Sequence, residues 1–154
     1  MTPTTKTART TLDWHAIRVG DPLTPMKIDV TATAVVAGAI ATRDFMPVHH
    51  DRDYANSQGS PNIFMNIMTD NGYCSRFLTD WAGPDAMVKK IAIRLGVPAY
   101  AGSKLEYTGA VTKTSQVDGE GIVEVEFRAT NDQGDHVSGT AVISLPLPKA
   151  SVSA

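Results

Sequence analysis

The chain is poor in cysteine: Cys74 is the only one in 154 residues. No disulfide can form within it, so a reducing, cytoplasmic setting is expected. No apolar run reaches the roughly 18 residues that a membrane-crossing helix needs. The opening "MTPTTKTARTTLDW" has no apolar core, so it does not read as a secretory leader. An excess of one charge is also missing. The chain has 14 Lys and Arg against 16 Asp and Glu, a net charge of −2. It has no basic block, which argues against a nucleic-acid partner. There is no Gly-rich phosphate loop and no internal repeat. Ser60 and Ser138 lack the elbow motif and base that a nucleophilic serine needs.

What is present suits one folded domain. Apolar residues make up 42% of the chain, a normal globular value. The length supports a single core. Residues 1–12 and 148–154 read as flexible tails around a domain spanning 13–147. The segment 27–36 begins with apolar residues at alternate positions and predicts a strand; Ala37–Thr42 fits either a strand edge or a helical turn. Residues 45–62 read as loop with a short helix at 51–57. The stretch "NIFMNIMTDNGYCSRFLTDWAGP", 62–84, predicts the one long helix, capped by Asn62 and ended by "AGP". Strands follow at 88–98, 103–117, 121–131 and 136–147, with a turn at "NDQGD". One long helix among antiparallel strands is an α+β pattern, and a curved sheet wrapped around a buried helix suits that order.

The chemistry-bearing stretch is "DFMPVHHDRDYA", from Asp44 to Ala55. Residue types alone leave it open as a solvated turn, a metal site or an acid/base pair. Adjacent His49, His50 and Asp51 diverge too much to share one ion, so no metal is expected. A carboxylate beside an imidazole can carry proton transfers near neutral pH. His50 is read as structural or solvent-facing. Cys74 reads as core, and Trp81 as helix-end packing.

Asp44, Pro47, Val48, His49 and Ala55 resemble, at the right spacing, the signature of the MaoC-type hot-dog hydratases. That signature usually has Gly before the Asp and Asn two residues after it; here they are Arg43 and Met46. The strings "IFMNIMTD", "TDWAGP" and "RLGVP" are similar to the small catalytic subunit of heteromeric steroid side-chain enoyl-CoA hydratases. The resemblance covers roughly 25–145. It implies a single hot-dog fold and hydration of an acyl-CoA thioester, with a steroid thioester as the favoured substrate. Asp44 and His49 would be the catalytic pair, in roles left open. The backbone N–H of Asn66 would meet the thioester oxygen, and Met46 and Asn71 are candidate pocket residues. No cofactor is implied beyond the coenzyme A of the substrate.

Two rivals stand beside this reading. Hot-dog thioesterases use a carboxylate on the long helix, which would make Asp70 catalytic; its plainer reading is an exposed helix charge. A non-catalytic acyl-CoA-binding or scaffold subunit is the other. Lys89 and Lys90 are the nearest group for the phosphates of coenzyme A, and only a pair. A second hot-dog subunit is therefore expected to supply much of that surface, with a homodimer as the alternative.

Overall fold

The computed structural model describes residues 10–147. The expected C-terminal tail and residues 1–9 of the expected N-terminal tail lie outside the described residues. The expected N-terminal tail boundary is corrected by residues 11 and 12. The Leu12 N–H donates to Ala82 O at 3.0 Å, and the Thr11 hydroxyl donates to Asp85 at 2.8 Å.

Five strands form one antiparallel sheet: β1 (Met26–Asp29), β2 (Met87–Leu95), β3 (Lys104–Val117), β4 (Glu120–Asn131) and β5 (Gly134–Pro146), in the order β1-β3-β4-β5-β2. The described residues hold three α-helices: α1 (Ala32–Ala41), α2 (Arg52–Ser57) and α3 (Ile67–Ala82). Alternation along β4 buries Val123, Val125, Phe127 and Ala129 on one face and turns Glu126 and Arg128 to the other. Asp118 and Gly119, both at positive φ, make the tight turn between β3 and β4.

The helix α3 lies against the buried sheet face through Cys74, Phe77, Leu78 and Ala82. The Phe77 ring packs on Tyr107 and Phe127, with centroids 5.7 and 6.2 Å away. Burying side chains of this size contributes on the order of 2 kcal/mol each, which makes this seam the core. Gly83, at φ 97, ends the helix before Pro84.

Two expectations change. The predicted strand 27–36 is a four-residue strand followed by α1. Thr31 caps that helix by accepting from the Ala34 N–H, and an alanine-rich run then propagates it. The long helix starts at 67, not 62. Residues 63–65 are instead tied to the 99–101 segment, with Met65 N–H on Ala99 O and Ala101 N–H on Ile63 O.

Candidate active site

Asp44 is placed by the way α1 ends. Thr42 is the C-cap. The Arg43 N–H bonds back to Ile40 O, and the Asp44 N–H to Ala39 O at 2.9 Å. This is a Schellman turn, and it puts Arg43 at φ 59. That left-handed position is why a glycine suits the residue before the Asp; this chain tolerates Arg there at a cost of about 1 kcal/mol.

His49 is placed by the next turn. Pro47 opens a 3-10 turn over Pro47–His49, and Asp51 then caps α2 by accepting from the Tyr54 N–H. His49 Nδ1 lies 2.7 Å from Phe64 O. A carbonyl only accepts, so Nδ1 carries the hydrogen and Nε2 is left for chemistry. The Phe64 ring meets the imidazole edge-on at 5.0 Å. His49 Nε2 then stands 3.4 Å from Asp44 Oδ2.

The third participant is Asn66. It caps α3, its Oδ1 accepting from the Thr69 N–H, while its Nδ2 donates to Asp44 Oδ2 at 3.0 Å and to Thr42 Oγ1 at 2.8 Å. The Asn66 bond holds the Asp44 carboxyl below its usual range. The Met46 N–H adds to this, burial opposes it, and His49 makes the smallest contribution, also downward. Asn66 was expected to act through its backbone; the bond from its side chain to Asp44 was not foreseen. An Asn just before a helix is the cap signal that could have found it.

The remaining sites separate. Met46 offers its N–H to Asp44 Oδ1 at 3.3 Å, and its side chain is exposed. Asn71 turns its amide back to Ile67 O on its own helix. His50 is exposed, with Nε2 3.2 Å from Phe45 O. A bulge between Val88 and Lys90 leaves both Lys89 and Lys90 exposed, and Lys89 is paired with Glu120. Among the described residues, no group of three or more His, Cys, Asp and Glu could hold a metal ion. Among the described residues, no helix is long and apolar enough to cross a membrane. The Cys74 thiol is pushed up to about 12 by burial and the nearby Asp70.

Asp70 needs correction on two counts. It is not an exposed helix charge but is fully buried, with Oδ1 2.9 Å from His136 Nε2. Buried and bonded in this way, it cannot meet a thioester, so the thioesterase reading loses its carboxylate.

A sheet curved around one central helix, with an Asp–His pair beside the N-terminus of that helix, defines a hot-dog protein. No family model matches the chain. A Mycobacterium tuberculosis protein, the 3-oxo-4,17-pregnadiene-20-carboxyl-CoA hydratase beta subunit, is 46% identical over 127 residues, which are 82% of this chain and 95% of that protein. A chain in the crystal structure of the ChsH1-ChsH2 complex from the same organism is also 46% identical. It superposes with a TM-score of 0.77 over 83% of this chain and 98% of that one. The unliganded R-hydratase PhaJ1 of Pseudomonas aeruginosa shares the fold, with a TM-score of 0.81 at 21% identity, covering 96% and 93% of the two chains. The chain belongs to the MaoC-like hot-dog hydratases.

Proposed function

We propose that this chain adds water across the 2,3 double bond of an acyl-CoA thioester, with Asp44 and His49 acting on one water. The observation that carries the proposal is the facing of His49 Nε2 and Asp44 Oδ2 at 3.4 Å, each fixed from behind. Asp44 is kept ionised by Asn66 and the Met46 N–H, so it serves as an acceptor that orients the water. His49, with its hydrogen on Nδ1, takes a proton from that water at Nε2 as the oxygen attacks Cβ. The imidazolium then returns a proton to Cα, so H and OH arrive on the same face. The Asn66 backbone N–H has no acceptor among the described residues, and it lies at the positive end of α3. It is the donor we assign to the thioester oxygen as charge develops there, a role worth about 3 kcal/mol in comparable sites. No cofactor is required beyond the coenzyme A of the substrate.

Large apolar side chains stand exposed next to these groups: Ile40, Phe45, Met46, Ile67 and Met68. They come from the end of α1, the loop after it and the start of α3, the same elements that carry Asp44 and Asn66. An apolar rim of this kind suits a bulky hydrocarbon acyl group, and the similarity to the pregnadiene-carboxyl-CoA hydratase subunit makes a steroid side-chain thioester the favoured one. The ChsH1-ChsH2 relative supports a second hot-dog subunit as partner, which would cover part of this rim and meet the CoA phosphates. A single buried thiol suits the cytoplasm.

The test is turnover of a steroid enoyl-CoA with and without a co-expressed partner, following loss of enone absorbance and release of thiol. Asp44→Asn and His49→Ala should each slow hydration at least about a hundredfold while leaving the fold intact. Parental rates in either variant would refute the site. Thiol release would mean hydrolysis, and silence in both channels would mean a scaffold.

A further inference from the structure

Two charged-type side chains sit in the core and take no part in the proposed chemistry. Asp70 is 0% exposed and His136 is 3% exposed. His136 Nδ1 lies 2.7 Å from Val97 O, and its Nε2 lies 2.9 Å from Asp70 Oδ1. Because Val97 O only accepts, Nδ1 carries a hydrogen, and a second proton lies between Nε2 and Oδ1. Burying such a pair carries a desolvation cost, and a well-packed apolar pair of similar volume is often as stable or more so. Stability alone therefore gives a weak reason for it.

Its place in the fold gives a better one. On one side, Asp70 lies in the first turn of α3, and its N–H bonds to Asn66 O at 3.1 Å. Asn66 in turn holds Asp44. On the other side, the Val97 carbonyl leads into the 98–101 segment. There Ala99 O and the Ala101 N–H clamp Met65 and Ile63, and Phe64 pairs with Tyr100. Phe64 O is the group that orients His49. One buried hydrogen-bonded pair thus joins the support of the carboxylate to the support of the imidazole.

We infer that Asp70 and His136 are positioning residues that fix the spacing of Asp44 and His49. The inference rests on the hydratase reading for its consequence in rate, though not for its geometry. Bond direction makes it testable. In Asp70→Asn the amide can donate to His136 Nε2 while Nδ1–H still bonds Val97 O, so the link survives without a charge. In Asp70→Ala the link is gone.

The experiment measures kcat, KM and the His49 and Asn66 side-chain NMR signals of the holo-complex for both variants, well below their melting temperatures. Asp70→Ala should lower kcat about tenfold to a hundredfold, the scale of a small misplacement of reacting groups, with KM within about twofold. It should also shift both NMR signals. Asp70→Asn should restore kcat to within about threefold of the parent and return the signals. Parental kcat in a folded Asp70→Ala, an effect confined to KM, or equal loss in the two variants would overturn the inference. If Asp70→Ala does not fold, Asp70→Asn decides alone: a folded protein with kcat more than tenfold down overturns it, and near-parental kcat supports it. If the parent hydrates no enoyl-CoA, the functional reading fails, and the NMR signals still judge the link.

Discussion

Replacing Asn66 by Ser separates two duties that one side chain performs. Asn66 Oδ1 caps α3 through the Thr69 N–H, while its Nδ2 reaches Asp44 and Thr42. Serine is as good a cap as asparagine, but its hydroxyl is too short to span to Asp44. Asn66→Ser therefore loses two hydrogen bonds whose partners can turn to water, since a third of the Asp44 side chain is exposed. The cost should be about 1 kcal/mol or less. Asn66→Ala loses the cap as well, adding about 1 kcal/mol. At about 2–4 °C per kcal/mol for a chain of this length, the two variants should melt a few degrees apart. Their effect on Asp44 should be the same. Its carboxyl is held low chiefly by Asn66, so both variants let its pKa climb towards the usual range of about 3.9. A carboxyl with a lowered pKa stays ionised further into acid. Both variants should therefore protonate Asp44 at a higher pH than the parent, by equal amounts. Melting curves and an NMR titration of the Asp44 carboxyl carbon between about pH 2 and 7 read both effects. A carboxyl titration that stays in place, or a Ser variant as unstable as the Ala variant, would refute the reasoning.

Other outcomes follow from individual residues. Arg43→Gly should raise stability by about 1 kcal/mol in chemical denaturation, since it relieves the left-handed strain at φ 59. Gly38→Ala should lower it by about 1–3 kcal/mol, because the new methyl would run into the Thr69 side chain where α1 meets α3. His50→Ala should leave hydration within about twofold of the parent, the ring being exposed and outside the site; a loss as deep as that of His49→Ala would reassign the imidazole. The His136 pair has a pH signature. Burial opposes its charge, but Asp70 and the Val97 carbonyl outweigh burial and raise its pKa; the other titratable groups near Asp70 are Cys74 and Tyr107. A raised pKa gives stabilisation that is full below the ordinary value of about 6.5 and is lost as pH rises through the folded value. Denaturant midpoints should therefore fall on the alkaline side in the parent, and Asp70→Asn should flatten that fall.

The sequence by itself determined the strands of the second half. Alternation at Ile122–Ala129 has period two, and one face must be buried, so the two faces of β4 were legible from the residues. It also determined the spacing of Asp44 and His49 along the chain, because short turns carry their own chemistry in Pro47 and Asp51. The start of α3 was less legible. Residues 62–66 are apolar enough to continue a helix, yet Ile63 and Met65 spend backbone groups on the 99–101 segment, a partner more than thirty residues away. Exposure along that helix also departs from residue polarity: Ile67 and Met68 are exposed, and Asp70 is buried. Hydrophobicity cannot foresee a buried carboxylate, because the energy that permits it comes from His136, on another strand. Only the tertiary structure decided that Asn66 would hold Asp44, that Phe64 would turn His49 and that Asp70 would meet His136. Each of these is a hydrogen bond between groups at least 15 residues apart, and such bonds leave no period and no local propensity in the sequence to announce them.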